Sequence, residues 1–294
     1  MPLTTTGELV RRAAAARSAV ASFNVITLEH VEAVVAGAES AGAPVVLQVS
    51  ENAVRFRHGR LLPLARAAVA AAEHAAVPVA LHLDHVRSDT LLRQAPDAGF
   101  SSVMYDAARL PYAENLAATR AAVARAHARG LWIEAELGRI GGKAGRDGPA
   151  GRPLDPHAPG ARTDPDEARA FVAGSGVDAL AVAIGSAHAM TTRTAALDHA
   201  LLARLSAALD VPLVLHGSSG VPDRELAAAV AGGIAKVNIG TALNIALTGG
   251  IRAYLAAHPG AVDPRHYLAA GREAMAATVA ALVRVVGGSG RTTA

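Results

Sequence analysis

Eight short apolar runs, spread along the chain and most with a polar residue at or next to the end, restrict the fold more than any other feature of this sequence. They occupy residues 20–25, 44–50, 78–84, 101–106, 131–138, 179–185, 212–217 and 236–240. Helix-period segments lie between them, at 28–41, 61–75, 89–98, 111–129, 165–174, 198–208 and 224–231. Continuous apolar strands alternating with amphipathic helices are the signature of repeated βα units with a parallel sheet. Glycines just past helix ends, at Gly42, Gly99, Gly130 and Gly176, supply the left-handed turn such units need. Eight units in 294 residues predict an α/β chain folded as a (β/α)8 TIM barrel. An open doubly wound sheet is the rival, but it would carry a glycine-rich turn after its first strand, and here that strand ends Phe23-Asn24-Val25. An extra N-terminal helix over 3–16 is expected to close the barrel floor. A long C-terminal helix over 264–286 shows apolar residues at helical spacing (Leu268, Met275, Val279, Leu282, Val286). No linker divides the chain, so residues 1–294 read as a single domain with a flexible tail at 287–294.

Composition narrows the chemistry. Hydrophobic residues make up 51% and aromatics 3%, so alanine, valine and leucine must fill the core. There is no cysteine, and a metal site would therefore be built from His, Asp or Glu. The basic residues are dispersed, with a formal net charge of only +3. That argues against a nucleic-acid surface, which wants a basic stripe with interleaved aromatics. No apolar stretch reaches the roughly 20 residues of a membrane span, and residues 1–10 lack the pattern of a signal peptide. A cytoplasmic setting is the expectation.

In barrels of this kind the active site lies at the C-terminal ends of the strands. Those ends carry Asn24, Ser50, Asp84 with His85, Asp106, Glu136, His188, His216 and the run Asn238, Ile239, Gly240, Thr241. Three imidazoles at the ends of separate strands converge only if the strands are parallel neighbours. His85, His188 and His216 together would then form a zinc centre with one position left for substrate. Asp106 and Glu136 are either ordinary hydrogen-bond acceptors or partners and alternative ligands of that cation. His82 shares a strand face with Asp84 and is expected to point into the barrel as a hydrogen-bonded core residue; Glu134, deeper than Glu136, reads as structural. Gly217, Ser218 and Ser219 after the seventh strand, and residues 238–241 after the eighth, have the form of phosphate cradles. Residues 139–163, rich in Gly and Pro, predict a mobile active-site loop.

Taken in order, the segments Leu81-His82-Leu83-Asp84-His85, Val103-Met104-Tyr105-Asp106-Ala107, Glu134-Ala135-Glu136-Leu137-Gly138 with Gly141-Gly142, Leu215-His216-Gly217-Ser218-Ser219-Gly220 and Lys236-Val237-Asn238-Ile239-Gly240-Thr241 carry a family resemblance. The chain resembles the class II, zinc-dependent ketose-bisphosphate aldolases, which include the fructose- and tagatose-bisphosphate enzymes. Its length is similar to that of the shorter, tagatose-type branch. The resemblance implies that His85, His188 and His216 bind Zn2+. It makes Asp84 the acid/base at the hydroxyl beside the breaking bond, and Asp106 with Glu136 holders of a second or displaced cation. It further implies that Gly217–Ser219 and 238–241 hold the phosphate of the dihydroxyacetone-phosphate half, and that Asn24 and Ser50 contact the other half of the sugar. Arg265 would reach into a partner subunit toward a distal phosphate, in a homodimer or homotetramer.

The activity so implied is cleavage of a ketose 1,6-bisphosphate, with fructose 1,6-bisphosphate as the default substrate. Tagatose 1,6-bisphosphate, or a deoxy-ketose acid with one phosphate, are the alternatives. A sugar-phosphate-binding barrel with impaired catalysis and a zinc hydrolase on the same barrel are the readings from other classes. Two departures from the family pattern stand out. The lid continues Gly142-Lys143-Ala144-Gly145, without the usual glutamate, so Asp147, Asp155 or His157 would have to replace it. Ala189 follows the second histidine where the family commonly has glycine, at a position that helps bind a monovalent cation or phosphate through its backbone.

Overall fold

The computed structural model describes residues 2–141, 155–158 and 160–288. Eight parallel strands, β1 (Val20–Asn24), β2 (Val45–Ser50), β3 (Val79–Val86), β4 (Ser102–Tyr105), β5 (Trp132–Leu137), β6 (Ala179–Val182), β7 (Leu213–Leu215) and β8 (Ile234–Ile239), close in sequence order into a barrel. Its seam is β1 on β8, with Val20 opposite Lys236 and Ser22 opposite Asn238. The helices are α1 (Thr6–Ala15), α2 (Leu28–Ala41), α3 (Glu51–Phe56), α4 (Leu62–His74), α5 (Asp89–Gln94), α6 (Tyr112–His127), α7 (Pro165–Ser175), α8 (His199–Ala208), α9 (Asp223–Ala231), α10 (Thr241–Ala257) and α11 (Pro264–Val286). None is long and apolar enough to cross a membrane.

Two separate apolar cores follow from strands buried on both faces. The larger lies between the strands' outer faces and the ring of helices, around Phe23, Leu47, Leu81, Ile133, Leu180 and Leu202. The smaller fills the barrel floor. There Leu9 and Val10 of α1 meet Val20, Val46, Ala80, Trp132 and Val214, which plugs the N-terminal end. Thr5 caps α1, its side chain accepting the Glu8 N–H, and Thr4 N–H donates to Val79 O, tying the plug to β3. The predicted floor helix is thus present, though shorter than 3–16.

Above the floor plug the barrel interior turns polar. Ser22, Gln48, His82, Glu134 and Lys236 are all fully buried there. Ser22 Oγ donates to Gln48 Oε1 at 2.5 Å, and Gln48 Nε2 donates to Asn24 Oδ1 at 2.8 Å. His82 Nδ1 lies 2.7 Å from Ser102 Oγ, as a hydrogen-bonded core histidine should, and burial together with nearby Lys236 pushes its pKa down to about 3.

The strand ends differ from expectation at one informative place. The third apolar run was expected to stop at Asp84, yet β3 continues to Val86 with a register shift against β4 between Leu83 and Val86. Within it His85 adopts φ 51°. Strict alternation would send Asp84 and His85 to opposite faces of the sheet. A bulge with one residue in the left-handed region re-aims the side chain, at a backbone cost of about 1–3 kcal/mol. Strain of this kind is what lets two adjacent residues serve one site.

Candidate active site

A cavity of about 290 Å³ opens at the C-terminal end of the barrel. Asn24, Ser50, Asp84, His85, His188 and His216 line it, together with Gly217–Ser219, Asn238, Gly240 and Thr241. The structure therefore brings most of the sequence-predicted residues to one place. Ile239 is fully buried and does not reach the lining. Arg265 lies at the exposed start of α11, its guanidinium held by Asp263 at 2.6 Å, and is not on the cavity wall of its own chain. Asp155 and His157 are exposed; the His157 ring packs 2.6 Å from an Arg162 nitrogen. Asp147, and residues 142–154 of the expected lid, fall outside the described residues, as does 289–294 of the expected tail.

The three histidines pack edge to face. Ring centroids are 5.2 Å apart for His85–His188, 4.9 Å for His85–His216 and 5.7 Å for His188–His216. With Glu136 they form a group whose candidate ligand atoms all lie within 4.8 Å of one another, among the described residues. Glu136 on β5 thus joins the imidazoles, whereas Asp106 stands behind them: its Oδ2 is 2.9 Å from His85 Nδ1. A proton on Nδ1 shared with a carboxylate leaves His85 Nε2 as the coordinating nitrogen.

His216 is held the opposite way round. Its Nε2–H points at Glu134 Oε1, 2.7 Å away, with the Asn238 carboxamide 2.9 Å from the same nitrogen. Nδ1, also buried, faces Glu136 Oε2 at 3.3 Å. Burial lowers the affinity of this ring for a proton, but the Glu134 and Glu136 carboxylates outweigh it and raise the pKa to about 8. An acidic, imidazole-lined pocket attracts a cation, and this set of three imidazoles and a carboxylate fits a metal ion. Glu134 and Lys236, which the sequence reading left as structural or did not single out, belong to this arrangement. A polar residue facing into a strand interior was the available signal for both, as for Gln48.

Asp84 is 2% exposed. Asn24 Nδ2 donates to its Oδ2 at 3.0 Å, and the Asn24 oxygen is in turn used by Gln48. Asn24 therefore orients Asp84, besides lining the cavity. Asp84 Oδ1 lies 3.8 Å from His85 Nε2, so a group bound beside the histidines is within its reach. Ser50, in register with Asp84, caps α3 by accepting the Ala53 N–H at 3.2 Å.

Opposite Asp84 two glycine-rich turns approach each other. Ser219 Oγ accepts from Gly240 N–H at 3.3 Å and from Ala242 N–H at 3.1 Å, stitching the β7 turn to the first turn of α10. The α10 N-terminus, Thr241 and Gly240, thereby faces the cavity with its positive dipole end. Gly217 has φ 67°, and a Cβ there would lie 2.6 Å from the Ala187 carbonyl. Glycine is needed both for the turn and for the close approach of the β6 loop. Ala189 sits in that loop at φ 59°, a left-handed conformation in which a non-glycine residue costs roughly 1–2 kcal/mol. Its methyl is exposed, so Ala189→Gly loses no packing. The substitution is expected to raise stability by about 0.5–1 kcal/mol, read as a higher melting temperature; a lower one would show that the methyl itself stabilises the loop.

A barrel that gathers a group able to hold a cation, an adjacent buried carboxylate and two glycine-rich turns around one cavity has the parts that a metal-assisted enzyme of phosphorylated substrates uses. Residues 4–291 match the profile of the family described as fructose-bisphosphate aldolase class-II. The chain belongs to the class II fructose-bisphosphate aldolase family and is an aldolase, a carbon–carbon lyase of a typically metal-dependent kind. It is similar to the fructose-bisphosphate aldolase of Geobacillus stearothermophilus, 37% identical over 292 residues that cover 99% of each chain. Among solved structures it is similar to the YdjI aldolase of Escherichia coli K12, with TM-score 0.81 and 30% identity over 98% of both chains. The fold is also that of fructose-bisphosphate aldolase from Campylobacter jejuni, with TM-score 0.76 and 23% identity over 97% of this chain and 95% of that one.

Proposed function

We propose that the protein is a zinc-dependent aldolase that reversibly cleaves fructose 1,6-bisphosphate into dihydroxyacetone phosphate and glyceraldehyde 3-phosphate. The observation that carries this reading is the grouping of His85, His188, His216 and Glu136 beside the Asp84 carboxylate. A nitrogen-rich set without sulfur suits Zn2+. Zinc, when bound by His85, His188 and His216, supplies a positive charge that stabilises the enediolate oxygen developing as the carbon–carbon bond breaks.

The remaining steps belong to the chain's own residues. The turns at Gly217–Ser219 and Asn238–Thr241 hold the phosphate of the ketone half, so binding energy distant from the reacting bond fixes its position. Asp84, oriented by Asn24, takes the proton from the hydroxyl of the carbon that becomes the aldehyde. Ser50 Oγ, at the neighbouring strand end, contacts that half of the sugar. Asp106 keeps His85 in the tautomer that coordinates through Nε2. Arg265 comes from a second copy of the chain to hold the distal phosphate, in a homodimer or homotetramer. Support for a second copy comes from α10, which packs on α11 yet leaves Ile245 and Leu255 exposed.

Incubating the purified protein with fructose 1,6-bisphosphate and with tagatose 1,6-bisphosphate, and assaying dihydroxyacetone phosphate, tests the reading. Release of the triose from the fructose ester at the higher kcat/KM is expected. Faster cleavage of the tagatose ester would reassign the substrate, and release of inorganic phosphate instead would replace the lyase assignment with a hydrolase.

A further inference from the structure

We propose that Lys236, acting through Glu134, is a positioning residue that turns the coordinating nitrogen of His216 toward the metal. This rests on the metal-centre reading above and extends it to a residue that touches neither metal nor substrate.

Lys236 is fully buried, on β8 inside the barrel. Its register neighbours are Val20 on β1 and Val214 on β7, both part of the apolar floor. An apolar side chain would fill this level without desolvating a charge, and a buried ion pair seldom repays that desolvation. The lysine's presence therefore calls for a reason other than packing.

The geometry supplies one. Lys236 Nζ donates to Glu134 Oε2 at 2.8 Å, while the other carboxylate oxygen, Oε1, accepts from His216 Nε2–H at 2.7 Å. All three side chains are completely buried. A lysine offers only donors, so it clamps one oxygen and stops the carboxylate from swinging. The free oxygen then fixes the ring plane of His216 and keeps the proton on Nε2. Nδ1 is left facing the metal side, 3.3 Å from Glu136 Oε2. Carboxylates behind metal-bound histidines commonly tune affinity, and here a cation stands one step further back.

The test is zinc affinity, measured on metal-stripped protein by competition with a chromophoric chelator and without substrate. Lys236→Met is expected to weaken zinc binding by about 10–100-fold, with KM unchanged and kcat recovering as zinc is raised to saturation. Because that variant leaves Glu134 buried without its cation and can fail to fold, the double variant E134Q/K236M removes both charges together. It is expected to fold and still to bind zinc about tenfold or more weakly than the wild type. A folded double variant, or a folded Lys236→Met, that binds zinc within about twofold of the wild type would overturn the proposal and leave Lys236 a purely structural charge. Wild-type protein that takes up no zinc in the same assay would instead overturn the metal centre itself.

Discussion

Asp84→Ala should lower kcat for bond cleavage by about 10²–10⁴-fold while the protein stays folded and still binds zinc. The expectation follows from the position of this carboxylate. It is buried, it accepts a hydrogen bond from Asn24, and one oxygen lies 3.8 Å from His85 Nε2. Removing it takes away the proton acceptor but none of the three imidazoles. Asp84→Asn separates shape from proton transfer: the amide can hold the same geometry and still cannot accept the hydroxyl proton. Comparable losses for both variants support a base, and an unaltered cleavage rate in Asp84→Ala would remove Asp84 from that role.

The second large effect is expected at His216. Replacing it by alanine removes one of the three imidazoles and leaves Glu134 and Glu136, which contact its Nε2 and Nδ1 respectively, without their shared partner. Zinc affinity should fall by more than the roughly 10–100-fold typical of residues that merely support a ligand. Activity at ordinary zinc concentrations should be lost with it. Equilibrium dialysis with zinc, followed by assay of the dialysed protein, checks both. A variant that keeps one zinc ion per chain and normal activity would show that the cation sits elsewhere.

The architecture was largely legible because parallel strands covered on both faces read as unbroken apolar runs. All eight expected strands are present, in sequence order around a closed barrel. The convergence of His85, His188 and His216 followed from the same pattern, since a parallel barrel delivers every strand end to one rim. Less local features were not readable. No residue type announces the β3 bulge that puts Asp84 and His85 on one site, because histidine is an ordinary strand residue and the strain is imposed by tertiary packing. Helix α3 begins directly behind β2, so Ser50 both ends the strand and caps the helix, which no strand pattern announces. Glu134 reads only as structural in the sequence because its role depends on His216, 82 residues away, and on Lys236, 102 residues away. Asp106, for which the strand-end reading leaves open a ligand or a supporting role, stands 2.9 Å from His85 Nδ1.

If a zinc ion held by three strand-end histidines drives aldol cleavage of a sugar bisphosphate, removing the metal must abolish the reaction. The most direct measurement is dihydroxyacetone phosphate release from fructose 1,6-bisphosphate by the protein as purified, after chelation, and after zinc is restored. Activity is expected to disappear on chelation and to return with zinc. Cleavage that persists undiminished in protein shown to be metal-free would contradict it.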